Sequence, residues 1–263
     1  MIINVRRSLI DTDVRDWLSQ CSGIVSGFSN TYSFDADGTN EYLRDTASTF
    51  SLTVNNFTVC AWIKADSLTG NHCIASCGSL GNNPGWAFFV ASDGTLKLQM
   101  RDSTGTNWKQ GTKSGISVGT WYFVMGTFDE SSSSGINVYI DGSVGTSGNP
   151  TGQNGNYTSA QHGAIGARFS GGSASSYFNG HIDNVAIWFG NTFTGGEVTE
   201  AYNGGAVMDY NSHSVGSPSH WYTMDHASDD FTGGSGQAND SGTVGTTLTP
   251  TNTEAGDQSA DIP

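Results

Sequence analysis

Positive charge is what this sequence has least of. Ten Lys and Arg stand against 24 Asp and Glu, for a formal net charge of −14, and no Lys or Arg follows Arg168, so residues 169–263 carry acids alone. Phosphate binding requires a basic footprint, which excludes nucleic acid as a partner. No stretch approaches the roughly 18 consecutive apolar residues of a membrane-spanning helix, so no membrane partner is expected. Near the start, Arg6, Arg7, Asp11 and Asp13 interrupt any apolar run, which argues against a secretory leader. Cysteine is scarce: Cys21, Cys60, Cys73 and Cys77 fit no zinc spacing, and Cys73 and Cys77 on one strand would stand about four rises of ~3.3 Å apart, beyond disulfide reach. Four buried thiols are expected.

What is present is glycine and aromatic side chain. The chain of 263 residues has 36 glycines and 11% aromatics with only 13% charged residues, the composition of a turn-rich β-protein of one large domain or two small ones. Ile10, Val14, Trp17, Leu18 and Cys21 recur at helical spacing, which predicts an amphipathic helix over 9–21 within an N-terminal arm, residues 1–26. It packs on a domain flank or docks on another subunit. Strands are predicted at 57–64, 86–90, 95–100, 121–128, 136–140 and 181–188, where β-branched and aromatic runs lie between Gly, Asn, Ser and Asp clusters. Asp93-Gly94 and Asp141-Gly142 each join two such runs and read as type I′ turns. Thr194 and Glu197 form a capping pair before a short helix that Gly204 ends. Residues 208–263 lose most aliphatic side chains, apart from the block at 220–224 and Leu248.

Five stretches carry a family resemblance: Phe34–Leu43 ("F-D…Y"), Phe57–Lys64 ("F-T-x-x-x-W-x-K"), Trp121–Val124 with Gly126–Asp129, Val138–Gly142 ("Y-I-D-G"), and Phe178–Trp188 ("F-x-G-x-I-D-x-V-x-I-W") with the helix after it. Their order and spacing over 27–207 resemble the laminin-G-like, concanavalin A-like lectin/glucanase superfamily in its bacterial and phage branch. The resemblance implies an all-β jelly-roll β-sandwich of two antiparallel sheets, here with an N-terminal helix and one short helix. His220–Asp225, Asp240–Gly242 and Thr246–Pro250 resemble a segment that in many relatives precedes the first strand. A circularly permuted layout would then let 208–263, an acidic C-terminal segment, add strands to the sandwich.

The superfamily also hosts glucanases, whose carboxylates flank the scissile bond from one strand face. The required Glu-x-Asp-x-x-Glu arrangement is missing, so no catalytic residue is assigned and the expectation is a protein that is not an enzyme. Asp102–Trp108 is similar to a sialidase Asp-box with one residue too many between Asp and Gly. The six histidines never fall at i, i+4 on a predicted helix, so zinc has no motif. The three glycosylation sequons, at Asn56, Asn156 and Asn239, are expected by chance. Relatives often hold calcium, and by resemblance its ligands here are Asp37 and Asp183, with Asp35 as the alternative to Asp37. Sugar faces pack on exposed aromatic rings while amides meet the hydroxyls, so Trp108 with Asn107 in a predicted loop, Tyr157 and Tyr177 are the glycan-binding candidates. Trp62, Trp86, Trp121 and Trp188 sit inside strand patterns and are expected in the core.

The reading these features favour is a non-catalytic structural or adhesive protein of a larger assembly, a homo-oligomeric phage virion surface protein (head decoration or fibre) that binds other virion proteins. The alternative is a free, extracellular carbohydrate-binding module at a cell surface. A glycoside hydrolase comes third.

Overall fold

Short runs in which apolar side chains alternate with polar ones can bury one face only by pairing into sheets and stacking the apolar faces. In the computed structural model this produces a sandwich, described for residues 28, 30–78, 84–104, 108–153, 155–170, 173–226, 228–231, 236–254 and 256–263. The arm 1–26 with its predicted helix 9–21, Cys21 and Asn107 lie outside the described residues.

The first sheet runs, in spatial order, β10 (Ser143–Val144), β9 (Ile136–Ile140), β8 (Trp121–Asp129), β3 (Asn56–Ala65), β14 (Asn179–Phe189), β1 (Ser33–Asp37) and β17 (Gln258–Ser259), with β15 (His220–Tyr222) also paired to β14. The second runs β16 (Thr249–Thr251), β2 (Tyr42–Arg44), β11 (Gly163–Ile165), β4 (His72–Gly78), β5 (Gly85–Val90), β6 (Thr95–Arg101) and β7 (Trp108–Ser114). A separate hairpin joins β12 (Arg168–Ser170) to β13 (Ser173–Ser175). The pairings described are antiparallel. Between the sheets Phe34, Val59, Ile63, Val124 and Ile182 meet Ile74, Trp86, Phe88, Leu96 and Leu98 in one buried cluster. Each such side chain contributes about 1.5–3 kcal/mol by leaving water.

The six strands expected from residue pattern form, each within two residues of its predicted ends. The pattern does not announce β4 and β7: β4 is buried on both faces, and β7 is an edge strand with a polar, Lys-bearing sequence, the composition that discourages edge-to-edge pairing. Asp141 and Gly142 have positive φ (49° and 75°) in a two-residue loop, as a type I′ turn requires. The other turn differs. Four residues separate β5 from β6, Gly94 N–H donates to the Ala91 carbonyl at 2.9 Å, and only Gly94 takes positive φ. That is a type I turn closed by a left-handed glycine, because the longer loop has room for it.

Helix α1 (Gly195–Tyr202) starts where Thr194 N–H donates to the Glu197 carboxylate, and it ends one residue earlier than expected, with Asn203 in the left-handed conformation before Gly204. Val198 and Ala201 bury against Trp62, Phe123 and Trp188, so the helix closes the outer face of the first sheet. Trp62, Trp86 and Trp188 are buried, whereas Trp121 is half-buried and donates its indole N–H to Asp261 at 2.9 Å. Cys60, Cys73 and Cys77 are buried free thiols; burial pushes Cys60 and Cys73 up to about 12, where they are inert.

Strands β15, β16 and β17, all from beyond residue 208, pair with β14, β2 and β1 and so enter both sheets. Asp240 organises that segment: its carboxylate meets the buried His220 ring at 2.7 Å and accepts the Trp221, Gly242 and Thr246 N–H groups.

The sandwich is stitched at one open side by residues 145–148. Thr146 exchanges both backbone hydrogen bonds with Thr112 of β7, and Gly148 does so with Ile136 of β9. A Cβ on Gly148 would lie 2.1 Å from the Gln110 carbonyl oxygen, closer than real contacts allow. Gly148→Ala is therefore expected to lower unfolding stability by about 2–4 kcal/mol in denaturant titration. Gly196→Ala, on the open first turn of α1 where a Cβ meets nothing nearer than 3.9 Å, should be neutral or stabilising by about 0.5 kcal/mol.

Candidate functional site

The first sheet's outer face is filled by α1 and the segment that follows it; the second sheet's outer face is not. On β6 the inward residues are Leu96, Leu98 and Met100, so strand alternation turns Lys97, Gln99 and Arg101 outward. Register places Thr112, Gln110 and Trp108 of β7 opposite them in turn. Phe89 lies outward beside Lys97, and a bulge between Cys73 and Ala75 turns Cys73 to the same face. The β12–β13 hairpin then folds back: Ala167 and Phe169 pack on Tyr42 and Ala164, covering the β2–β11 half of that face.

Arg168, on the same hairpin, reaches the uncovered half. It is only 4% exposed, its guanidinium stands 5.4 Å from the Phe89 ring centre, and Nη2 donates to Gln99 Oε1 at 2.9 Å. Gln99 Nε2 in turn donates to Gln110 Oε1 at 2.9 Å. Together with Asn71, Lys97 and Trp108 these residues line a cleft of about 450 Å³. Trp108 is 49% exposed, the most exposed of the described tryptophans. An indole face beside amide groups is the chemistry that holds a pyranose: C–H groups lie on the ring and hydroxyls meet the amides.

Of the expected glycan-binding residues, Trp108 lies in this cleft, though as the first residue of a strand rather than in a loop. Tyr177 is half-buried, donates its hydroxyl to the Ala174 carbonyl at 3.1 Å, and lines an adjoining cleft of about 320 Å³ that shares Asn71 with the first. Tyr157 corrects the expectation. It is 1% exposed, packed edge-on to Phe128 at 5.0 Å with its hydroxyl on Gln153, so its ring is core and no sugar reaches it. Sequence reasoning missed Lys97, Gln99, Gln110 and Arg168. The signal for the β6 pair was the period-two alternation of a strand already expected; nothing local announces the fold-back that delivers Arg168.

The expected calcium pair is also corrected. Asp37 stands opposite Asn179, four residues before Asp183 on β14, and four strand rises amount to ~13 Å, too far to share one ion. Asp183 is fully buried, its oxygens accepting from Asn30 at 2.9 Å and Asn184 at 3.0 Å, and burial pushes it up to about 8. Asp37 instead lines an acidic cleft with Asp35, Glu41, Glu254 and Asp257, a juxtaposition of carboxylates that linear spacing does not reveal. Backbone donors already engage three of these five carboxylates. Glu41 accepts the Asp37 N–H at 2.7 Å, Asp37 the Thr39 N–H at 2.7 Å, and Asp257 the Glu254 N–H. The alternative, Asp35, lies with Asp66 and His181 in a group whose ligand atoms fall within 4.8 Å of one another, where the His181 ring already meets the Ser33 hydroxyl.

The fold and cleft define a lectin-type β-sandwich. The family described as the concanavalin A-like lectin/glucanases superfamily matches residues 37–199, more than half of the chain, and the chain belongs to it. No curated protein sequence matches. Among solved structures, a putative carbohydrate binding protein from Bacteroides ovatus is 17% identical with a TM-score of 0.56; the match covers 86% of this chain but 61% of that one, so this chain spans less than two thirds of it. The heptameric SAP-like pentraxin of Limulus polyphemus is 23% identical, with a TM-score of 0.52 over 66% of this chain and 82% of that one. The CBM40 of Ruminococcus gnavus IT-sialidase, bound to alpha2,6 sialyllactose, is 13% identical with a TM-score of 0.54 over 65% and 96%. Among the described residues no helix is long and apolar enough to cross a membrane.

Burial pushes Glu41 up to about 7 and raises Asp257 as well. A carboxyl raised in the folded state stabilises it most below its unfolded pKa, and that contribution is lost as pH rises through the folded value. The melting temperature is therefore expected to fall between about pH 5 and pH 8. Glu41→Gln, which keeps an acceptor for the Asp37 N–H, should flatten this fall and stabilise the protein at about pH 8 by up to about 3 kcal/mol.

Proposed function

We propose that this chain is a carbohydrate-binding module without catalytic activity, and that it holds its glycan in the cleft on the outer face of the second sheet. The observation that carries the proposal is the exposed Trp108 ring at the head of a ladder of side-chain amides, Gln110 and Gln99, on a half-face that no other described segment covers. Two structural relatives support it, one a putative carbohydrate binding protein and one a module solved with bound sialyllactose. Support for a non-catalytic role comes from the acidic cleft, whose carboxylates Glu41, Asp37 and Asp257 are committed to backbone N–H groups.

A second reading places the same sandwich on a larger assembly, as a head decoration or fibre protein of a phage virion, in homo-oligomeric form. The strongly acidic chain beyond Arg168 favours a basic partner surface, and that association would weaken as salt rises. Trimming residues 1–21 should abolish oligomers seen in sedimentation; an unchanged monomer before and after trimming counts against the assembly role.

For glycan binding, Trp108→Ala is expected to lower affinity at least about tenfold for any oligosaccharide found by array screening and followed by calorimetry. Trp121→Ala, on the other sheet, should leave that affinity unchanged.

A further inference from the structure

We infer that the cleft at Trp108 receives an acidic sugar, a saccharide bearing a carboxylate or sulfate group, with Arg168 and Lys97 as its anion-binding groups. This deepens the proposed glycan binding and rests on it. The first observation is an uncompensated buried cation. Arg168 is 4% exposed, one of its bonds goes to a neutral amide, and its Nε has no hydrogen-bond partner. Among the described residues no carboxylate lies within ion-pair distance of Arg168 or Lys97. A guanidinium taken out of water without an opposite charge is costly, and the Phe89 ring at 5.4 Å offsets only part of that cost.

The second observation is the sign of the lining. In a chain with 24 acids, no Asp or Glu among the described residues lines this cleft, while Lys97 and Arg168 do. Arg101 is close by on the same strand face, and its charge adds to burial in lowering the Arg168 pKa to about 10. Asp93, exposed in the β5–β6 turn, is near enough to feel the Lys97 charge but does not line the cleft, and acids farther away are screened within about 8 Å at physiological ionic strength, so the lining cations dominate the field that a ligand meets.

The third is geometry. Trp108, Gln99 and Arg168 also line one small hollow beside the cleft, so the indole and the guanidinium lie close together. Lys97 lies opposite Thr112, four residues along β7 from Trp108, a separation of ~13 Å that suits a disaccharide or longer chain better than a single ring. A planar guanidinium favours bidentate contact with carboxylate or sulfate oxygens.

The test is calorimetric titration of the full chain with lactose, 3′-sialyllactose, 6′-sulfo-lactose and trigalacturonate, at low and at physiological salt. At least one anionic probe is expected to bind about tenfold or more tightly than lactose, less so at higher salt; the carboxylated and sulfated arms identify the anion. Lys97→Gln should cut that preference about three-fold or more, and Arg168→Lys should weaken binding of the anionic probe while retaining the fold by circular dichroism. If Arg168→Lys fails to fold, Lys97→Gln alone decides. Equal binding of neutral and anionic probes, or a preference that survives Lys97→Gln, overturns the acidic-sugar assignment and leaves glycan binding intact. Failure of all four probes, and of a broad glycan array, overturns both.

Discussion

Strand β14 is hydrogen-bonded along both edges, and the rest of the molecule is arranged around that fact. One edge pairs with β3 from residue 180 to 189, and the other is shared by β1 at 179–182 and β15 at 185–187. The division is possible because three steps along β14, from Asp183 to Ala186, match two along β3. Asn184 sits in that bulge with φ of 49°, and its side chain bonds Asn30, Asp183 and the Trp221 indole. A largely buried cluster of polar groups is tolerable only when its members are satisfied, which is what this network accomplishes. It also brings residues 30–37 and the C-terminal strands to one place, and the Asp225 carboxylate fastens them by accepting the Thr31 and Tyr32 N–H groups.

The two outer faces of the sandwich have opposite fates, and that difference positions the site. Over the first sheet, α1 and the aromatic side chains after it form a second small core around Trp188, Phe193 and Tyr210. Over the second sheet, the β12–β13 hairpin covers half and stops, with Arg168 at its margin. What is left is a rigid floor of paired strands with outward Gln, Lys and Trp side chains. Binding groups on strands lose little conformational freedom when a ligand arrives.

Much of the fold was legible in the sequence because it is written in local patterns. Period-two alternation marked β9, aromatic and β-branched runs marked β3, β8 and β14, and Thr194 with Glu197 marked the helix start. The β4 strand escaped because it is buried on both faces, so it shows no period-two alternation, and Ile74 is its one β-branched residue; β7 escaped because its inward position at Gly111 approaches backbone rather than side chain. The site was only partly legible. Trp108 was identifiable as an aromatic among polar residues, but Tyr157 has similar neighbours in sequence and proved to be core, since burial depends on where Phe128 lies. Asp37 and Asp183 were carried by family resemblance, and strand register, which resemblance does not supply, separates them. Arg168 comes from a fold-back whose cause is tertiary, the packing of Phe169 on Tyr42.

The central claim is that ligand contact is made at the outer face of the second sheet. It is tested most directly by following the tryptophan indole N–H resonances of isotopically labelled protein while a bound oligosaccharide is added. The account predicts that the Trp108 signal shifts, while those of buried Trp62, Trp86 and Trp188 stay in place. A Trp108 signal that stays fixed under saturating ligand while Trp121 or Trp221 moves would contradict it and transfer the site to the other sheet.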